Sequence, residues 1–357
     1  MRAAPATRRP VIPTASCRRG TSAAVSPKSR ATCPSDTGIT VEAVEPRAGA
    51  LHVRTDHGSL AARAVVAASG ALSSVRPSLV RARVPATVQQ LHSDRYRGPD
   101  SVADGAVLVV GSGSSGMQIA EELAVAGRDV FLATGRVARV ARRYRGRDML
   151  AWWDAMGRFS ERVEDLRDPA TRFAPIPHVS GADGGHTLSY QRLARLGVRL
   201  LGRVARVAGG RVELAADLGD NVRHADEASA AFRRGVDEYV ARASLVVPGA
   251  EPDEDDAPAP QLYGTTGPTH LDLRAERIAA VVWCTGFAPS FGYLPDGALA
   301  GVGGPVTPGV RSRVPGIYLV GLPWLTRRAS PILYGIGHDA AAVARAIVVD
   351  RRSRRAS

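Results

Sequence analysis

The sequence predicts an α/β fold organised around a parallel sheet with a nucleotide-cradling turn. Three observations predict it. Residues 107–116 read VLVVGSGSSG, an apolar strand running into glycines, and MQIAEELAVAG follows with helical periodicity. A second apolar strand at 129–134 comes next, and strand–helix alternation returns further on, as βαβ units require. Two later apolar runs, RIAAVVWCTGF at 277–287 and VPGIYLVGL at 314–322, stop sharply on glycines.

Taken in order, residues 1–37 show no period of 2 or 3.6 and carry Pro, Ser and Arg throughout, so they read as a disordered basic tail. Order is expected from Gly38. ITVEAVEP, ALHVRT and SLAARAVVAAS read as short strands, with 64–69 a buried strand ending at Gly70. ALSSVRPSLVRARVP reads as an irregular connection. Residues 105–270 open with strand 106–110, helix 115–126 and strand 129–134. Residues 151–167 look helical, GADGGH at 181–186 is a loop, and LSYQRLARL reads as a helix. VRLLGRVARVAGGRVELA reads as two strands joined at Gly209-Gly210, and 225–242 as a long helix. The acidic, Pro-rich stretch 249–268 reads as a surface loop or linker. Within 271–350 come the two glycine-ended strands and a terminal helix at 338–349, followed by a second basic tail, 351–357.

The 357 residues allow two domains of ordinary size, and 45% hydrophobic residues supply an ample core. Aromatics are only 5%, so that core is built mostly from Ala, Val and Leu. The net charge of +13 invites a nucleic-acid reading, but +6 lies in residues 1–37 and +4 in the last seven, with no aromatics interleaved to stack bases. No nucleic-acid partner is expected. Cys17, Cys33 and Cys284 have no metal-ligand spacing and no disulfide framework, so no metal site is expected and a reducing cytoplasm fits. No apolar run reaches the ~18 residues that would span a bilayer, so no membrane partner is expected.

The spacing Gly111-x-Gly113-x-x-Gly116 has a physical reason at each position. The first glycine permits the tight turn, the second lets the backbone approach a pyrophosphate, and the third lets helix pack closely on strand. With Ser112, Ser114 and Ser115, these residues would present N–H groups and a positive helix end to phosphates. Cradles that take NADH carry an acid about 20 residues on. Here that place holds Ala133, Thr134, Gly135 and Arg136. An arginine there pairs with a 2′-phosphate, so NADPH is favoured, with Arg136 as its contact. Arg139, Arg142 and Arg143 read as a solvated basic face.

With these residues in view, the chain from about 38 to 350 resembles the flavin-dependent monooxygenases that use FAD and NADPH. VVAASG at 65–70 resembles the first ATG-type strand of that group, and LHSDRY at 91–96 the His-x-x-x-Tyr half of its linker fingerprint. VLVVGSGSSG resembles the NADPH cradle, WCTGF at 283–287 the second ATG motif, and IYLVGLPW with YGIGHDA at 334–340 the C-terminal flavin-contacting stretch. The resemblance implies two Rossmann-like dinucleotide-binding domains. The NADPH domain, 105–270, is inserted in an FAD domain formed by 38–104 (with a linker) and 271–350. It also implies that NADPH reduces the flavin, which then activates oxygen toward a small-molecule substrate. Ser69, Gly70, Thr285, Gly286, Gly321 and Asp339 become FAD-binding candidates by this resemblance, and no catalytic residue is assigned.

Two departures matter. The group's FAD cradle would stand before the strands at 38–69, yet residues 1–37 hold one glycine, Gly20, and no apolar strand. An N-terminally incomplete FAD domain is therefore expected, with weak or absent FAD binding. The alternative function is a catalytically inactive NADP-binding remnant. Ala86 and Val88 stand where the linker fingerprint has Phe and Gly, which argues against Baeyer–Villiger activity.

Weighed singly, His92 is as readily structural as a linker residue, and Trp152 and Trp153 read as packing residues. His178 and His186 flank a glycine loop without further converging ligands. Asp339 reads as the N-cap of the last helix, compatible with a place near flavin. Cys284 reads as a packing residue.

Overall fold

The computed structural model describes residues 36–47, 49–76, 78, 80–168, 170, 172, 177–299 and 309–356. The tail expected over 1–37 lies almost wholly outside them. In chain order the strands begin with β1 (Val41–Arg47), β2 (Ala50–Thr55), β3 (Gly58–Ala62), β4 (Val65–Ala67), β5 (Ser74–Val75), β6 (Gln89–His92) and β7 (Ala106–Val110). Helix α1 (Ser114–Val125), β8 (Val130–Ala133), β9 (Arg143–Tyr144), β10 (Arg147–Asp148), α2 (Met149–Ala155) and α3 (Tyr190–Arg195) follow. Then come β11 (Arg199–Leu201), β12 (Val204–Ala208), β13 (Arg211–Leu214), α4 (Leu218–Arg242), β14 (His270–Asp272), β15 (Ile278–Trp283), β16 (Phe287–Ala288), β17 (Ile317–Leu319) and α5 (Leu333–Ala356).

The chain forms two compact units. The first includes Pro77–Met149 and Pro175–Thr285. Its centre is a five-stranded sheet of order β11-β8-β7-β15-β6, and every pairing in it is parallel. A parallel strand covered on both faces must be apolar throughout, and all five residues of β7 are buried. On one face Ile119, Ala120 and Leu123 of α1 pack with Leu193 of α3 and Leu218, Val222 and Ala225 of α4. On the other face lies the antiparallel sheet β12-β13-β14, with Val207, Val212, Leu214 and Leu271 packed on Leu108, Phe131 and Val281. The unit extends on both sides of 105–270, because β6 upstream and β15 downstream complete the cradle's own sheet.

The second unit includes Leu150–Ala174 and Gly286–Ser357 with the described residues up to Arg76. It contains the meander β1-β2-β3, the parallel pair β4–β17, the short antiparallel pair β5–β16, and α5. Val44, Leu51, Val53, Ala67, Ile317, Leu319, Val343 and Ala346 share its core.

Several sequence expectations are corrected. The helix expected over 151–167 covers only Met149–Ala155 and is followed by 3₁₀ turns at Arg158–Ser160 and Val163–Asp165, because Gly157 takes φ +73° and breaks the α ladder. The stretch around Gly209-Gly210 forms three strands, since β11 joins the parallel sheet while β12 and β13 make the hairpin. Helix α4 starts at Leu218, a full two turns before 225, because Leu218 and Val222 continue its buried stripe. Helix α5 runs from Leu333 to Ala356, well beyond 338–349 at both ends. Residues 351–356, expected as a tail, continue that helix.

Candidate functional site

The site is built where β7 ends. β7 leads to β8 and then β11 on one side, while β15 pairs on the other, so the order of strands reverses at β7. Such a switch point leaves a crevice at the carboxyl ends of the strands, and the turn 111–113 sits there. Gly111 has φ +102°, a conformation side chains avoid, and a Cβ on it would lie 2.5 Å from the Cys284 carbonyl oxygen. A Cβ on Gly116 would lie 1.8 Å from the Gly111 carbonyl oxygen. Gly116 is therefore required by the packing of α1 on the turn, and Gly111 by the close approach of the backbone that follows β15. A Cβ on Gly113 would meet nothing within 4 Å.

Gly113 is the N-cap of α1 and supplies no side-chain cap. The N–H groups of Ser114, Ser115 and Gly116 thus lack intrahelical acceptors and carry the positive end of the helix dipole. Together with the open approach at Gly113, this fits a dinucleotide pyrophosphate.

The corner after β8 is fixed to this turn. Gly111 N–H donates to the Ala133 carbonyl (3.0 Å), and Gly135 N–H donates to Ser112 Oγ (2.8 Å). Thr134 Oγ1 donates to the Leu201 carbonyl (2.7 Å) and accepts from Asn221 Nδ2 (3.1 Å). The next residue, Arg136, is exposed at the rim of the cradle. His224 on α4 is pushed down from its ordinary value by burial and then by the charge of Arg136. An exposed cation beside the cradle, with no acid at the end of β8, fits a ribose 2′-phosphate.

Behind the turn lie polar residues to which the sequence assigned no contact with it. Tyr190 Oη donates to the Gly135 carbonyl (2.9 Å) and lies 2.7 Å from Ser112 Oγ. His178 Nε2 donates to the Ser112 carbonyl. Burial pushes His178 down to about 4, so the ring is neutral at pH 7 and Nε2 carries its proton. His186 Nε2 donates to Glu121 on α1 at 2.9 Å, and Arg192 donates to the same carboxylate. The two histidines thus bind different parts of the cradle. Tyr190 and His178 stand 78 and 66 residues from Ser112, and no local pattern signals such contacts.

Arg139 is a correction. Instead of lying on a solvated face it is 1% exposed and paired with Asp226 and Asp256. Asp226 also accepts from Gln191 Nε2 (2.8 Å), Ala259 N–H (2.8 Å) and Tyr263 Oη (2.7 Å). Burial pushes the Asp256 carboxyl up, against the pull of Arg139. The stretch expected as a surface loop is therefore pinned inward by Asp256, because a buried arginine requires its counter-charges. Arg142 pairs with Asp148 (2.7 Å), and Arg143 donates to the carbonyls of Gly184 and Gly185. Cys284 is buried, and burial pushes its thiol up to about 12.

In the second unit, β4 and β17 are parallel, so Ser69-Gly70 and Gly321 leave the sheet at the same edge. Gly70 and Gly321 have φ +71° and +76°. Ser69 Oγ lies 3.0 Å from Tyr293 Oη. A Cβ on Gly321 would touch Ile336 of α5, one turn before Asp339. Asp339 is fully buried inside α5 and is not its N-cap, because the helix begins six residues earlier. Its Oδ1 accepts from Thr326 Oγ1, and Oδ2 has no hydrogen-bond partner among the described residues. Gly286, at φ +85°, accepts from Arg76 N–H (3.0 Å), while Thr285 closes the first unit. Of these, Ser69, Gly70, Gly286, Gly321 and Asp339 belong to this unit and would line a bound flavin. The described residues of this unit hold no glycine cradle for the flavin pyrophosphate.

Comparison with known proteins agrees with this geometry. Residues 30–150 match the pyridine nucleotide-disulphide oxidoreductase family. The chain is 23% identical to a CzcO-like oxidoreductase of Geobacillus kaustophilus, over 81% of this chain and 65% of that protein. It is 23% identical to the CzcO oxidoreductase of Bacillus subtilis, over 81% of this chain and 66% of that one. The chain thus spans about two thirds of the length of the curated relatives it matches. A flavin monooxygenase variant from Stenotrophomonas maltophilia has the same fold, with TM-score 0.51 and 19% identity over 87% of this chain and 70% of that structure. The fold is that of the FAD/NAD(P)-binding Rossmann-type oxidoreductases. In fold the chain is similar to that flavin monooxygenase, and in sequence to the CzcO-like oxidoreductases.

Proposed function

We propose that the protein is an NADPH-dependent flavoprotein oxidoreductase of monooxygenase type, acting in the cytoplasm on a small organic substrate. The observation that carries this reading is the cradle at residues 111–116 with Arg136 held at its rim by the Ser112–Gly135 hydrogen bond (2.8 Å). A bound flavin would accept a hydride from NADPH and activate oxygen, chemistry that belongs to the cofactor. This chain's own residues do the binding and orienting. Gly113 admits the pyrophosphate, the first turn of α1 donates N–H groups to it, and Arg136 pairs with the 2′-phosphate. Cys284 packs its backbone and Cβ against the cradle glycines.

The test is a visible spectrum of the purified chain before and after incubation with FAD and desalting, followed by NADPH addition. A retained flavin band bleached by NADPH supports this reading. Retention of NADP+ without flavin supports the second reading, a nucleotide-binding protein without redox chemistry.

A further inference from the structure

We infer that Tyr190 is a positioning residue for dinucleotide choice, acting through Ser112 and Gly135 on Arg136. The inference rests on the reading that the cradle takes NADPH, and it deepens that reading by naming what fixes the 2′-phosphate contact.

Three polar groups behind the turn close a ring. Gly135 N–H donates to Ser112 Oγ at 2.8 Å, and Tyr190 Oη donates to the Gly135 carbonyl at 2.9 Å. The Tyr190 proton is then committed, so Ser112 Oγ–H donates to Tyr190 Oη across 2.7 Å. Ser112 is 2% exposed and Tyr190 1%. Ser112 Oγ also lies 3.4 Å from the Gly135 carbonyl, so either placing of the two hydroxyl protons keeps Ser112, Gly135 and Tyr190 tied together, and opening the ring strands polar groups in low dielectric. Burial also pushes the Tyr190 hydroxyl up from its ordinary value, so it remains a donor at any working pH.

The ring joins two backbone segments that a dinucleotide must touch together. Ser112 belongs to the turn under the pyrophosphate. Gly135 immediately precedes Arg136. Tyr190 is the first residue of α3, whose N-cap Ser189 accepts from Arg192 N–H at 3.1 Å. The phenol is therefore held by a capped helix outside both segments and sets the spacing between them. His178 adds a bond to the Ser112 carbonyl but none to Gly135, so it fixes the turn and not the corner.

The experiment is calorimetric titration of the full chain with NADP+ and with NAD+, in the parent and in Tyr190→Phe, Arg136→Ala and the double variant. The parent is expected to bind NADP+ more tightly. Tyr190→Phe should weaken NADP+ about three- to tenfold, the worth of one neutral hydrogen bond, and NAD+ by less than about twofold. In the Arg136→Ala background the same change should have no further effect on NADP+. Ser112→Ala opens the ring without touching α3 and should give the same pattern, which keeps the test sound if Tyr190→Phe folds poorly. Equal weakening of both dinucleotides, or an effect that adds in full to Arg136→Ala, overturns the inference. A parent that does not prefer NADP+ overturns the NADPH reading and this inference with it.

Discussion

Gly116 shows how little freedom the cradle leaves at single residues. A methyl group there would fall 1.8 Å from the Gly111 carbonyl oxygen, which is backbone and cannot swing aside. Gly116→Ala should cost about 1–3 kcal/mol in a urea titration and abolish saturable NADP+ binding. Arg136 is exposed, so Arg136→Ala should leave urea stability within about 0.5 kcal/mol while weakening NADP+ roughly tenfold or more. His178 supplies a pH dependence. Folding holds the ring neutral down to about 4, whereas the unfolded ring gains its proton near 6.5. Between those values the unfolded state binds more protons, so stability falls as pH falls through that window, by about 3–4 kcal/mol at most. His178→Asn should flatten the stability profile between about pH 6.5 and 4, and a profile unchanged in that window would refute the assignment.

At the scale of elements, the stretch after α4 is decided by charge pairing. Asp256 and Asp226 enclose Arg139, and Asp226 gathers bonds from Gln191, Ala259 and Tyr263 as well. Removing one member leaves uncompensated charge and several unpaired donors. Asp226→Ala should therefore destabilise the protein by about 3–5 kcal/mol in chemical denaturation. A loss under about 1 kcal/mol would mean that water reaches this cluster. The acidic, Pro-rich composition pointed to a surface loop because composition cannot reveal a buried partner more than 100 residues away, as Arg139 is from Asp256.

At the scale of the whole molecule, the two units have separate cores, and the dinucleotide candidates divide between them. NADP+ should slow amide exchange in β7, α1 and β15 and leave β1–β3 unchanged. Ligand at about 100 times its dissociation constant adds about 2.7 kcal/mol to the state that binds it. Protection spread equally over β1–β3 would contradict a cradle confined to the first unit. Local sequence by itself determined the α/β class and the strand–turn–helix at 106–125, because a parallel strand buried on both faces is apolar throughout and a tight phosphate turn needs glycine. Helix ends were less legible: α4 and α5 run past the patterned segments because tertiary packing, not propensity, holds their outer turns. Only the tertiary structure decided what lies behind the cradle. The Ser112–Gly135–Tyr190 ring and the pairing of Arg139 join residues tens of positions apart, and a hydrogen bond between distant residues leaves no periodicity in the chain that forms it.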